Sequence, residues 1–342
     1  MALSRMLKFS NFCSKENLLY RNPTLKNVRH FRKSRNNVEP KVNPDSLATP
    51  FTNMNVNSSN LNAKNLLKPF VFTVAFSGAC FITSAIWEYE NMRAHAKNVL
   101  RRPMKFFKKH IDDRVHSTNY LFKEVKAWWS GLTEGERIFA PICALNILVF
   151  LAWRVPKFQP YMLKYFCSNP ASRNVFVPMV LSTFSHYSGL HLLANMYVLH
   201  SFSTGAVHSL GKEQFLALYM TAGVVSSFTS YMYKIITKQP GLSLGASGAI
   251  MAVLGYVCTQ YPDTRLGIIL LPVFTFSAGA AIKFIIGLDT AGVLLGWKFF
   301  DHAAHLGGAA FGIFWAMWGQ KQIWQKREPV LQYWHQMRGS IK

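Results

Sequence analysis

The chain has 342 residues, half of them apolar and only 15% charged, with 38 Lys and Arg against 15 Asp and Glu, a net charge of +23. That composition is too apolar for an ordinary soluble domain. The five cysteines (Cys13, Cys80, Cys143, Cys167, Cys258) are odd in number and widely spaced, which argues against a disulfide framework and against a cysteine zinc site.

The first 42 residues hold ten Lys or Arg against Glu16 and Glu39, with Ser and Asn between them. Such a stretch has the composition of an organelle transit peptide, and residues 1–68 are expected to be leader and basic N-terminal segment. Arg5 and Lys8 interrupt the apolar run that a secretory signal would need. A basic arm can also serve nucleic acid, but the apolar spans downstream argue against that partner and for a lipid bilayer.

The first expected span is 69–87 ("PFVFTVAFSGACFITSAIW"), uncharged and long enough for a hydrocarbon core of roughly 30 Å. A polar connection, 88–137, follows, with Trp128 and Trp129 as interfacial anchors. Apolar segments then recur at about 138–153, 190–208, 214–233, 246–260, 276–296 and 303–318, so that 138–318 is read as a six-helix core. Residues 266–274 ("LGIILLPVF") read as a buried loop or interfacial piece, and 319–342 as a polar tail. The expected fold is an all-α polytopic membrane protein with one additional N-terminal transmembrane helix before six, a 1+6 arrangement. No internal repeat is visible, which weakens a transporter reading based on duplicated halves.

Polar side chains inside a bilayer are expensive, so each asks for a partner, a wet cavity or a function. Three segments gather them. "SHYSGLHLLAN" places His191 and Asn195 four apart on one helix face, with His186 in the approach. "GASGA" puts Ser247 at the start of a helix, and "DHAAHLGGAAFG" puts His305 a turn into another. Close helix packing accounts for Gly248, Gly308 and Gly312. It does not account for a serine, a histidine and a set of donors on three separate spans.

Together these supply what acyl transfer needs. Serine is a weak nucleophile until a base takes its proton, and His305 is the available base at neutral pH. The oxyanion would be met by the backbone N–H groups at Ala246 and Ser247 and by the side chains of His191 and Asn195. Gly245 lets backbone and substrate come close, and His186 is a candidate lining residue of the water-filled cavity. Asp301, four residues before His305, reads as an interface residue, and no carboxylate is placed by sequence as a third member. A Ser–His dyad is therefore expected. His302 and His305 form a bare His-x-x-His, a poor metal site without further ligands, and neither a metal nor another cofactor is expected. There is no His-Glu-x-x-His, and Asp289 in "GLDTAG" does not form a paired-aspartate pattern.

"GASGA", the His191-x-x-x-Asn195 pair and "AHLGGAAFG", in that order, resemble the rhomboid family of intramembrane serine proteases. The basic leader, the lone preceding helix and "LLGWKFFDHAAHLGG" are similar to its mitochondrial branch, the presenilin-associated rhomboid-like proteins. The resemblance implies Ser247 and His305 as catalytic residues, His191 and Asn195 as oxyanion supports, and Gly245, Gly248, Gly308 and Gly312 as motif residues. It implies a location in the mitochondrial inner membrane, and single-span membrane proteins as substrates. One departure stands out: many bacterial members carry a tyrosine one turn after the serine to stack on the histidine, and here that position is Met251.

Two other classes compete. An inactive chaperone or scaffold of the same fold would use the glycine packing without the dyad, and a proton-coupled transporter would explain His191, His305 and Lys283 but not the serine. For a protease, Ser247 would lie below the membrane surface, because the apolar run to Gln260 is shorter than the hydrocarbon core. Substrates would need to unwind locally, which favours spans with Gly, Pro or polar residues in their upper part and a small residue before the cut.

Overall fold

The computed structural model describes residues 62–100, 120–268 and 271–340. The leader up to residue 61, and positions 101–119 of the polar connection, lie outside the described residues.

Helix α1 runs Leu67–Leu100, entered by a 3-10 turn at Ala63–Leu66. It does not stop near Trp87, where the charges begin. Its polar turns find partners instead: Glu88 pairs with Arg327 at 2.6 Å, Glu90 with Arg338 at 2.7 Å, and Asn91 donates to Glu213 at 2.7 Å. Charged residues can extend a membrane helix where other elements meet them.

Helix α2 (Tyr120–Gly131) leads to α3 (Glu134–Ala152), which opens with a reciprocal cap in which Thr133 and Glu136 each bond the other's backbone. A short α4 (Gln159–Tyr165) and α5 (Phe176–Leu181) connect to α6 (Gly189–Leu210), capped by Ser188. Helix α7 spans Lys212–Ile236, α8 Ser247–Gln260, α9 Ala278–Leu295 and α10 His302–Phe314. A π-helical stretch, Trp315–Trp324, continues α10, and α11 (Glu328–Ser340) follows. The segment read as a polar tail thus contains ordered helix, and its Arg327, Trp334 and Arg338 hold the far end of α1.

Among the described residues, four helices are long and apolar enough to cross a membrane: the one ending at Leu100, then α3, α7 and α9. Of these, α7 is the central one, with 67% of its most apolar window buried against 17–22% for the other three. Some of its hydroxyls bond back to their own helix, as when Ser226 donates to the Ala222 carbonyl at 2.5 Å and Thr229 to that of Val225 at 3.0 Å.

The chain is mostly helical, as expected, and the reading of 266–274 needs one correction. Arg265–Ile268 (β1) and Leu271–Ser277 (β2) form an antiparallel hairpin where a loop or interfacial piece was expected, with Leu266 opposite Phe276 and Gly267 opposite Thr275. Val273, Phe274, Thr275 and Phe276 are β-branched or aromatic and suit a pleated strand better than a helix.

Helices α8 and α10 lie backbone to backbone. A Cβ placed on Gly308 would strike the carbonyl oxygen of Gly248, and one on Gly312 that of Ala252. From the other side, a Cβ on Gly255 would come 2.6 Å from the Ala309 carbonyl oxygen. Small residues at spacings of four permit this approach, and here they join the helix that carries Ser247 to the one that carries His305.

Candidate active site

Ser247 is the first residue of α8, and its Oγ lies 2.9 Å from His305 Nε2 on α10. The other ring nitrogen of His305 is 3.1 Å from Asp289 Oδ1 on α9. The expectation of a dyad with no third group is therefore corrected: a carboxylate from the preceding helix stands behind the histidine. With Nδ1–H donating to Asp289, Nε2 of His305 is free to accept the Ser247 hydroxyl proton. Asp289 Oδ1 also lies 2.6 Å from His302 Nδ1, so one buried oxygen serves two imidazoles.

The serine is presented by a loop fastened at consecutive points. Ser243 pairs with Ser168 through both backbone bonds, at 2.8 and 2.9 Å. Gly245 N–H donates to the Ser182 carbonyl at 2.9 Å, and Ala246 N–H is directed at His186 Nε2, 3.3 Å away. Two expected assignments change as a result. The Ala246 N–H already faces His186 and is not an open donor for an oxyanion. His186 is fully buried behind the loop and holds it, rather than lining a cavity.

Gly245 has φ +135°, a conformation that L side chains rarely adopt. A Cβ there would lie 2.9 Å from His191 Cε1 and 3.8 Å from Ser247 Oγ. His191 and Ser247 thus border the same small space above Gly245. Asn195 is buried, and its amide donates at 2.8 Å to the His191 carbonyl on its own helix. That bond directs the amide along α6, and Asn195 is not part of the cavity wall.

The cavity in front of the serine has a volume of about 650 Å³, and its wall includes His191, Gly245, Ser247, Gly248, His302 and His305. Gly248, Gly308 and Gly312 form the seam between α8 and α10 described above.

Three features of the site were not anticipated from sequence. Asp289 is one. Another is Phe300, whose ring centroid is 5.9 Å from that of His305; it provides aromatic packing from the loop before α10, where Met251 had left the stacking partner open. The third is Asp301. Rather than a membrane-interface group, it caps α10 by accepting from Ala304 N–H at 3.0 Å. Its other oxygen accepts from Ser230 at 2.5 Å and from Ser243, and pairs with Lys234 at 3.4 Å. Burial raises the Asp301 pKa, but Lys234 and the two serines outweigh it and hold the carboxyl down to about 2. The cap of the histidine helix is thereby bonded to the serine loop.

Among known proteins, residues 173–322 match the family model of the rhomboid domain. Over 275 residues, covering 80% of this chain and 72% of the relative, the sequence is 52% identical to the mitochondrial presenilin-associated rhomboid-like protein of Rattus norvegicus. It is 48% identical to that of Bos taurus over 316 residues, covering 90% of this chain and 83% of the relative. Rhomboid protein 1, mitochondrial, of Saccharomyces cerevisiae is 33% identical over 217 residues, 62% of each chain. The chain belongs to the rhomboid family, in its branch of mitochondrial presenilin-associated rhomboid-like proteins.

Proposed function

We propose that this chain is an intramembrane serine endopeptidase that cuts transmembrane segments of membrane-anchored proteins. The observation that carries the reading is the 2.9 Å approach of Ser247 Oγ to His305 Nε2 at the wall of a cavity, with Asp289 behind the histidine. In this mechanism His305 takes the hydroxyl proton as Ser247 Oγ attacks the scissile carbonyl, then returns it to the leaving amine. Asp289 keeps the proton on Nδ1 and balances the imidazolium that forms. Negative charge on the former carbonyl oxygen is met above Gly245 by the Ser247 backbone N–H, one of the unpaired donors at the start of α8, and by His191. Asn195 acts one step back, holding the turn of α6 that bears His191.

The same reading places the chain in the mitochondrial inner membrane as a multi-pass protein, with residues 1–68 as its transit and basic segment and one transmembrane helix before a six-helix core. Its partners are the bilayer and single-span substrates that unwind near the cut. A fluorophosphonate probe on purified full-length protein tests the chemistry. Labelling of the wild type that disappears in Ser247→Ala and falls sharply in His305→Ala is the expected result; equal labelling of Ser247→Ala overturns it.

A further inference from the structure

The His302–His305 pair, too poor in donors by sequence to hold a metal, acquires a third ligand in the fold. Asp289 Oδ1 lies 2.6 Å from His302 Nδ1 and 3.1 Å from His305 Nδ1, and the ligand atoms of the three residues all lie within 4.8 Å of one another. All three residues are buried, and both histidines line the cavity. We propose that Asp289, His302 and His305 form a binding site for a divalent transition metal, zinc above all, and that its occupation switches the catalytic histidine off.

The donor chemistry favours zinc over the hard cations. Two imidazoles and one carboxylate are a common three-ligand zinc set, with a fourth position left for water, whereas magnesium and calcium prefer all-oxygen shells. At zinc bond lengths of about 2.0–2.2 Å, neighbouring tetrahedral donors are roughly 3.3 Å apart. The Asp289–His305 edge, at 3.1 Å, is close to that value; the Asp289–His302 edge needs to open from 2.6 Å by about 0.7 Å, and the two histidine donors, within 4.8 Å of one another, need to stay or draw together. The cavity supplies the water.

The switching step balances without any further reagent. In the active arrangement each imidazole is neutral and carries its proton on Nδ1, donating to Asp289. A metal bound at Nδ1 requires that nitrogen's lone pair, so the proton moves to Nε2 through solvent. On His302 the shift leaves the proton on a buried Nε2 with no hydrogen-bond partner among the described residues, a cost that the metal–nitrogen bond has to exceed. On His305 the consequence is decisive: Nε2 becomes N–H, faces Ser247 as a donor and no longer accepts the hydroxyl proton. The metal therefore inhibits without touching Ser247. The inhibition rests on the protease reading; the binding does not.

Metal-stripped full-length protein provides the test, with Co2+ as a spectroscopic surrogate, Zn2+ as the effector and Mg2+ as the control cation. Ser247→Ala should bind one Co2+ with the visible absorption of a tetrahedral site, and Zn2+ but not Mg2+ should raise its thermal unfolding temperature. His302→Gln and Asp289→Asn should each weaken that binding by more than the roughly 10–100-fold that loss of a mere orienting group costs. In the wild type, Zn2+ should suppress fluorophosphonate labelling reversibly by chelator, and in His302→Gln the ratio of labelling without to with Zn2+ should fall towards one. Should either variant fail to fold, the unfolding-temperature shift of Ser247→Ala still decides the matter. Absence of Co2+ absorption and of any Zn2+ shift in Ser247→Ala overturns the site, as does equal Co2+ binding by Ser247→Ala and His302→Gln. A chain that binds the metal but never labels retains the site and loses the protease.

Discussion

Lys234 Nζ at the end of α7 lies 3.4 Å from Asp301 Oδ2 at the start of α10, with Ser243 of the serine loop bonded to both. Removing one partner of a mostly buried pair typically costs about 3–5 kcal/mol, because the other charge is left uncompensated. With side chains 11% and 22% exposed, the lower end applies. Lys234→Met is expected to lower thermal stability accordingly, and Lys234→Met combined with Asp301→Leu to lower it by less than the sum of the two single changes.

The same carboxylate sets a pH dependence. A folded pKa held at about 2, below the ordinary carboxylate value of about 4, means that the folded state binds this proton more weakly than the unfolded state. Its stabilisation is complete above the ordinary value and is lost as pH falls towards 2. Unfolding profiles should show that acid-side slope in the wild type and a shallower one in Asp301→Asn.

Asp289→Asn keeps the shape of the side chain but no longer balances an imidazolium or enforces Nδ1–H on His305. Turnover is expected to fall on the order of 100-fold or more, in kcat rather than KM. Unchanged kcat in a single-turnover assay would return the mechanism to a Ser–His dyad.

Loss of one oxyanion donor typically costs about 100–1,000-fold. His191→Ala should show a loss of this size in kcat. Asn195→Ala, whose amide is spent on the His191 carbonyl, should lose less. If Asn195→Ala loses more than His191→Ala, the order of the two roles is reversed.

Gly312→Ala adds a methyl group directly against the Ala252 carbonyl. Overpacking of this kind costs roughly 1–3 kcal/mol, and the seam between α8 and α10 can relieve it only by separating. Lower stability together with reduced probe labelling is expected, since separation also draws His305 from Ser247. Normal labelling at reduced stability would show that the seam yields elsewhere.

The parts of the site legible in sequence were those whose meaning is local. Ser247 between glycines, His305 ahead of Gly308 and Gly312, and the His191–Asn195 pair each lie within one or two helical turns, where spacing fixes the shared face. Asp289 was not legible. It lies sixteen positions before His305 on another helix, beyond a turn that passes through Gly296 in the left-handed region. Only the angle of that turn decides whether its carboxylate meets the histidine. His186 was expected to line the cavity and Ala246 to offer an oxyanion donor; sixty positions apart in sequence, they instead bond one another. The hairpin at Arg265–Ser277 was hidden because a short apolar run has no period that separates strand from buried coil.

The fastening of the serine loop has a consequence for when ordering is completed. Ser243, Gly245 and Ala246 have their amides bonded to Ser168, Ser182 and His186, so this irregular segment holds its protons as a sheet does. Their hydrogen exchange should match that of the core helices and require large-scale opening. The entropy of placing Ser247 is then lost once, during folding, and not again at each encounter. What remains to be ordered in every catalytic cycle is the incoming peptide, so differences in rate between substrates should reflect how easily each one comes unwound.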